Sequence, residues 1–190
     1  MADYPLKKYP FTGACGLNCG LCPRYYTEGP SRCPGCGGQA FFSKHPSCGF
    51  LTCCAIEKGL ECCGQCEELK NCPRMLKNLE AAKERDFFIS YQPVADNLAF
   101  IKEKGVDEFA RLEEEKIAFL KELLENYDDG RSRGFLCLSC QLLPLDELKN
   151  TVGAVSSTPQ ENDAKKKARA LKAAISGLAE TLGICLSLRK

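Results

Sequence analysis

Cysteines dominate the residues of this sequence that can do chemistry. Fifteen of the 190 residues are cysteine, and twelve of them lie between Cys15 and Cys72. This density is typical of a disulfide framework or a metal framework. The first residues lack the apolar stretch of a secretory signal, so we expect a cytoplasmic protein whose thiols stay reduced. Clustered thiolates recruit soft metals, and the pattern therefore predicts bound metal.

Two pairs with C-x2-C spacing predict a structural zinc site. Cys33 and Cys36 enclose Pro and Gly, which favours a tight turn that directs both sulfurs at one ion. Cys63 and Cys66 form the second pair. A tetrahedral all-cysteine site needs two such pairs, so these four cysteines are its predicted ligands.

A third motif, C-x3-C-x2-C, contains Cys15, Cys19 and Cys22. These three thiolates predict a second closed zinc site, for which the fourth ligand is Cys48, Cys54 or Cys72. The alternative is a 4Fe–4S cluster with one open coordination position at the same three cysteines. Zinc, bound as two ions, is the primary expectation.

The remaining cysteines and the single histidine have less specific patterns. Only one member of each adjacent pair, Cys53–Cys54 and Cys62–Cys63, is expected to reach a given ion, because neighbouring side chains point in different directions. Cys137, Cys140 and Cys185 are expected to pack as small apolar residues. His45 is expected at the surface, and a single histidine argues against a hydrolytic zinc site.

The elements that must position these cysteines differ along the chain. Residues 1–72 are poor in aliphatic side chains, so we expect metal to stabilise them as one domain. Residues 73–190 show helical periodicity and form the second predicted domain. The fold class predicted is a small irregular metal-bound module of α+β, zinc-knuckle-like type, followed by a mainly α-helical body with a short C-terminal strand.

The C-terminal region has the clearest helical pattern. Thr158, Pro159 and Glu161 resemble a capping box with proline at the first helical position. An apolar stripe follows and ends at Gly183; its members are Ala164, Ala168, Leu171, Ile175, Leu178 and Leu182. The last residues, "ICLSLRK", alternate as a closing strand would.

Charge and hydropathy limit the classes of partner. The chain has 26 Lys and Arg against 25 Asp and Glu, so its net charge argues against a nucleic-acid partner. The basic residues after Ala164 are interpreted as the solvated face of a helix. No apolar run approaches the length of a membrane span, so we expect no membrane partner. A protein partner is compatible with the pattern.

The cysteine motifs together resemble an uncharacterised cysteine-rich prokaryotic family, a domain of unknown function. The resemblance rests on "CGLNCGLCP", "CPGCG" and "CCAIEKGLECCGQC" followed by Cys72. It implies a metal-binding role for nine positions: Cys15, Cys19, Cys22, Cys33, Cys36, Cys54, Cys63, Cys66 and Cys72. The family brings no established activity.

Two functions of different class follow from these patterns. The first is a binding or adaptor protein that contains structural zinc. The second is an iron–sulfur protein with redox, desulfuration or electron-transfer activity at Cys15, Cys19 and Cys22. Whether the protein is an enzyme stays open at this point.

Overall fold

The computed structural model describes residues 5–45, 47–157 and 163–190. Within these ranges the regular elements are helices and helical turns, and no β-strand occurs. The predicted α+β, zinc-knuckle-like module and the predicted C-terminal strand are therefore wrong. The mainly helical body is confirmed.

Short helical turns make up the cysteine-rich part of the chain. Helix α1 spans Phe41–Lys44, and α2 spans Gly49–Leu51 before widening into a π-turn over Thr52–Glu57. Among the described residues of this part, five 3-10 turns occur: Cys19–Leu21, Pro23–Tyr26, Gly29–Ser31, Cys63–Gln65 and Glu67–Asn71. The frequent glycines and prolines interrupt this part of the chain before any of these turns can lengthen.

The turn at Cys33–Cys36 shows why the zinc-knuckle prediction fails. In a knuckle, backbone N–H groups converge on one ion with the sulfurs. Here the N–H of Cys36 donates to the carbonyl of Pro10 at 2.7 Å, and the N–H of Gly38 donates to Gly35 O at 3.2 Å. The turn is therefore held by a neighbouring loop through its backbone.

Longer helices follow from residue 73 onward. They are α3 Pro73–Glu84, α4 Val94–Lys104, α5 Val106–Tyr127, α6 Arg133–Leu142, α7 Leu145–Ser156 and α8 Ala164–Thr181. Proline begins α3, where its missing N–H costs no helical hydrogen bond. Gly105 ends α4 with φ 90°, a conformation that glycine adopts at low cost.

The chain forms two compact units. Unit 1 contains the residues up to Glu115 together with Leu188–Lys190, and unit 2 contains Lys116–Ser187. The predicted domain limits, 1–72 and 73–190, stay a prediction, and the compact units have different limits. No helix among the described residues is long and apolar enough to cross a membrane.

Unit 1 has an apolar core to which both sides of residue 72 contribute. Its buried members are Leu17, Cys62, Met75, Ile89, Val94, Leu98, Ile101, Val106 and Phe109. A β-carbon on Gly64 would lie 2.8 Å from Ile101 Cβ, so the turn at Cys63–Gln65 packs directly on α4. The cysteine-rich segment thus obtains much of its apolar burial from helices that follow it.

The C-terminal tail is attached to unit 1 by an ion pair. The guanidinium of Arg189 donates to the fully buried carboxylate of Asp86, with Nη2 to Oδ1 at 2.8 Å and Nε to Oδ2 at 3.1 Å. Two backbone groups add to this contact: Arg189 N donates to Asp86 Oδ2, and Asp86 N donates to Arg189 O, both at 2.9 Å. One buried carboxylate thus holds the tail where the alternating sequence suggested a strand ladder.

Unit 2 confirms the middle of the predicted helical stripe. Ala168, Leu171 and Ile175 are buried on α8, whereas Leu182 is 40 % exposed. Cys137 and Cys140 are buried on α6, as predicted. Cys185 is exposed, so its predicted core position is wrong. The predicted capping box at Thr158, Pro159 and Glu161 lies outside the described residues.

Asp163 performs the capping of α8, which leads to a testable prediction. Its carboxylate accepts hydrogen bonds from Lys165 N at 2.9 Å and Lys166 N at 3.4 Å. Asp163→Ala should lower the free energy of unfolding of unit 2 by about 1 kcal/mol, measured by urea unfolding followed by circular dichroism. Asp163→Asn keeps the acceptor oxygen and should retain most of that stability. Equal losses in both variants would contradict the capping role.

Candidate metal centre

Five buried or partly buried thiols from separate parts of unit 1 lie close enough to interact electrostatically. We call them the main thiol cluster: Cys15, Cys19, Cys36, Cys48 and Cys62. The thiol of Cys15 interacts electrostatically with those of Cys36, Cys48 and Cys62. The thiol of Cys19 interacts with Cys36 and Cys15. All five are free cysteines, so the cluster is a set of thiols and not a disulfide framework.

Backbone hydrogen bonds position the loops of this cluster. Gly13 N donates to Leu17 O at 2.7 Å, which closes the loop that contains Cys15. The amide of Ala14, in the same loop, donates to Cys36 Sγ at 3.2 Å. Asn97 of α4 donates from Nδ2 to the carbonyl of Gly16 at 2.8 Å. The loop is therefore fixed to a long helix on one side and to a cluster sulfur on the other.

Burial keeps the thiols of Cys15, Cys19, Cys36 and Cys62 protonated. Removal from water raises the pKa values of the Cys15 and Cys19 thiols well above their usual range, and the nearby thiols add to the effect. Burial also raises the pKa of Cys36, and it raises that of Cys62 to about 11. A thiolate is costly in a buried site without a compensating positive charge.

Lys7 contributes a positive charge to the cluster, and the sequence analysis missed it. The residue is only 4 % exposed, and its ammonium donates to the carbonyl oxygen of Thr12. That charge lowers the pKa values of the Cys19, Cys36 and Cys62 thiols, although burial outweighs the effect in each case. A lysine in "YPLKKYP" gives no sequence signal of such a role, because only the fold brings it near the cysteines.

A second group consists of Cys22, Cys33 and His45. The Nε2 atom of His45 lies 3.2 Å from Cys33 Sγ, and the imidazole stacks on Phe41 with ring centroids 4.6 Å apart. Burial lowers the pKa of His45, and the charge of Arg24 lowers it further, so the ring is neutral at pH 7. His45 was expected at the surface; it is partly buried and paired with a cysteine.

A third group consists of Cys54, Cys63 and Cys72. A hydrogen bond with Cys54 is the largest cause of the raised pKa of Cys63, followed by burial, and Cys72 adds a charge interaction. Cys66 lies apart from this group, where Lys58 Nζ approaches its sulfur at 3.5 Å. Cys53 is a free, partly buried cysteine.

The groups differ from the pairs that the sequence suggested. Cys33 and Cys36 were paired with Cys63 and Cys66, whereas the structure places Cys36 in the main thiol cluster and Cys63 beside Cys54. Cys62 interacts with the main thiol cluster and Cys63 with Cys54, although the two neighbouring thiols also interact with each other. Cys62 was not among the predicted ligands, and only the direction of its side chain in the fold identifies it.

The side chains of these groups are of the types that bind a thiophilic metal, since zinc prefers thiolate and neutral imidazole ligands. Their arrangement, however, is not that of a formed coordination site. Among residues 5–45, 47–157 and 163–190, no group of three or more His, Cys, Asp or Glu side chains is arranged to hold an ion. Metal binding at the main thiol cluster therefore requires side-chain rotation that brings the sulfurs together.

Comparison with known proteins adds no functional assignment. No family model, no curated protein and no solved structure matches this chain.

Proposed function

We propose that this protein binds a thiophilic metal ion, with zinc as the first candidate, through thiolates of the main thiol cluster. The observation that supports the proposal is the electrostatic proximity of five free thiols from loops that are distant in sequence. Soft thiolate ligands select zinc, copper(I) or iron–sulfur clusters over hard cations. Cys15, Cys19, Cys36 and Cys48 supply the four ligands that a structural zinc site needs.

Lys7 supports this proposal over simple apolar packing. Cysteines that only fill a core need no cation among them, and burying an ammonium costs free energy unless it is compensated. Four thiolates around Zn²⁺ have a formal charge of about −2. The ammonium of Lys7, beside Cys19 and Cys36, offsets part of that charge.

An iron–sulfur cluster is the second candidate. The observation that favours it is the position of Cys19, which has electrostatic contact with both Cys15 and Cys22 of the C-x3-C-x2-C motif. These three thiolates would hold the cluster, and redox, desulfuration or electron-transfer activity would follow. In the zinc case the protein acts as a binding or adaptor protein.

Elemental analysis of protein prepared anaerobically without chelator tests the proposal. We expect at least one equivalent of zinc per chain in a colourless sample. Broad visible absorption with iron and acid-labile sulfide would select the second candidate. The second zinc ion predicted from the sequence has two candidate groups, Cys22–Cys33–His45 and Cys54–Cys63–Cys72, and stays a prediction. Less than one equivalent of any transition metal would contradict metal binding.

A cysteine variant and a matched control locate the ion. Cys36→Ser should lose about one equivalent of metal, because oxygen is a poor substitute for a thiolate ligand. Cys185→Ser should keep the full content, since Cys185 is exposed and outside the three groups. If Cys36→Ser does not fold, Cys48→Ser provides an independent test and should also lose about one equivalent of metal. Equal metal content in wild type, Cys36→Ser and Cys48→Ser would place the ion elsewhere.

A further inference from the structure

Unit 1 contains a pocket of about 290 Å³ along one face of α3. Arg74, Lys77 and Asn78 lie on this face at helical spacing, Arg85 directly follows the last residue of α3, and Ala81 and Ala82 leave space between them. Three aromatic side chains, Phe50, Phe87 and Tyr91, complete the wall. The pocket is therefore lined by cations, one side-chain amide and aromatic rings.

The cations of the pocket have no acidic partner. Among the described residues, neither Arg74, Lys77 nor Arg85 lies within 4.0 Å of a carboxylate oxygen, and no Asp or Glu lines the pocket. By contrast Lys83, on the same helix but outside the pocket, pairs with Glu80 at 2.7 Å. Arg74 donates to the carbonyl of Gly49, and none of the three cations that line the pocket is in an ion pair, which favours an anionic ligand.

Asn78 is a second and independent sign of a ligand. Its Nδ2 atom is buried and has no hydrogen-bond partner among the described residues, although it belongs to the pocket lining. A buried donor without a partner costs free energy, and native structures usually satisfy such a donor with a water or a ligand. An anionic oxygen in the pocket would accept this hydrogen bond once rotation of the Asn78 carboxamide turns Nδ2 towards it.

The aromatic side chains offer ring faces beside the cations. Phe87 is 58 % exposed, and it meets Tyr91 at an interplanar angle of 65° with ring centroids 5.8 Å apart. The guanidinium of Arg85 lies 5.2 Å from the centre of the Phe87 ring. An exposed phenylalanine beside a pocket is a stacking surface for a planar ring.

We propose that this pocket binds a small phosphate monoester that bears a flat ring, of the mononucleotide type. The phosphate lies among Arg74, Lys77, Arg85 and the amide of Asn78, and the ring stacks on Phe87. The volume of about 290 Å³ is at the lower end for ligand pockets, which suits a single nucleotide. The site borders the main thiol cluster, since Tyr91 of its wall interacts electrostatically with Cys15, Cys19 and Cys48, but no cysteine lines the pocket.

Calorimetric titration of the full chain with AMP at low salt tests the proposal. AMP should bind with a Kd below about 1 mM, and adenosine and ribose 5-phosphate should each bind at least about tenfold more weakly, because each lacks one of the two recognised parts. An AMP Kd above about 10 mM would overturn the proposal. If the affinity for oligonucleotides rises with their length, the surface binds a nucleic-acid strand. That result would also overturn the mononucleotide proposal.

Variants on the exposed face separate the two parts of the site. Lys77→Gln and Arg85→Gln should each weaken both AMP and ribose 5-phosphate about tenfold. Phe87→Ala should weaken AMP about tenfold and leave ribose 5-phosphate unchanged. Lys83→Gln removes one positive charge from the same helix outside the pocket and should change neither ligand. If Lys83→Gln and Lys77→Gln weaken AMP binding equally, the helix attracts anions in general. That result would overturn the proposed site.

Discussion

Arg189→Gln should lower the free energy of unfolding by about 3 kcal/mol at pH 7. The carboxylate of Asp86 is fully buried, and Arg189 supplies its only ion-pair partner among the described residues. Loss of the guanidinium leaves that charge uncompensated in the interior, and the part of Arg189 that stays exposed keeps the cost at the lower end of the range for buried pairs. Urea unfolding followed by circular dichroism measures the loss.

The same pair has a defined pH dependence. Burial acts to raise the pKa of Asp86, but hydrogen bonds from Arg189 and from the Tyr91 amide outweigh it and lower that pKa to about 2. A lowered folded pKa stabilises the protein above the unfolded pKa of about 3.9, and this stability is lost as the pH falls towards 2. The difference between wild type and Arg189→Gln should therefore be full above about pH 5 and smaller near pH 2.

Arg111 provides the matched control for this prediction. It pairs with Glu108 and Glu115 on α5, but its side chain is 54 % exposed. Exposed ion pairs contribute little, so Arg111→Gln should change stability far less than Arg189→Gln. Similar losses for the two variants, or a pH-independent loss for Arg189→Gln, would contradict the role assigned to the buried pair.

Gly35→Ala should destabilise unit 1 by about 3–5 kcal/mol. Gly35 has φ 83°, a conformation that side chains disfavour, and a β-carbon there would lie 2.5 Å from Pro10 O and 2.8 Å from Pro10 C. Backbone atoms cannot rotate away as a flexible side chain can. The hydrogen bond from Cys36 N to Pro10 O also holds the two segments together, so relief of the clash would move Cys36.

Gly59→Ala separates the clash from the conformational cost. Gly59 has φ 65° and no atom within 4 Å of an added β-carbon. Gly59→Ala should lower the free energy of unfolding by only about 1 kcal/mol, the cost of a left-handed residue that is not glycine. The measurement is again urea unfolding, with hydrogen exchange of unit 1 amides as a local readout. Equal losses at both positions would show that the approach of Pro10 does not matter.

The helices of this fold were predictable because their signals are local. The apolar stripe of α8 depends only on nearby residues, and the structure buries its middle members Ala168, Leu171 and Ile175. The C-terminal strand was wrong for the opposite reason. The alternation in "ICLSLRK" resembles a strand, but the contact that fixes Arg189 lies 103 residues away at Asp86. No local pattern contains that contact.

The sequence located the cysteine-rich region but not its grouping. Spacing predicts which cysteines share a turn, and it cannot show which turns meet. Cys36 joins Cys15 and Cys48 because Ala14 and Pro10 hold its loop. The choice of Cys62 over Cys63 depends on the direction of one side chain in an extended residue before a 3-10 turn. Lys7 and the pocket on α3 depend in the same way on tertiary packing.

The membership of Leu188–Lys190 in unit 1 makes that unit discontinuous along the chain. A single cut after Glu115 yields a fragment in which the carboxylate of Asp86 has lost Arg189. Dissection into separate pieces therefore needs complementation, either by adding the tail as a peptide or by fusing it through a short linker. In topological terms, unit 2 is enclosed in sequence between two parts of unit 1, and α5, which spans Val106–Tyr127, crosses the first of the two boundaries.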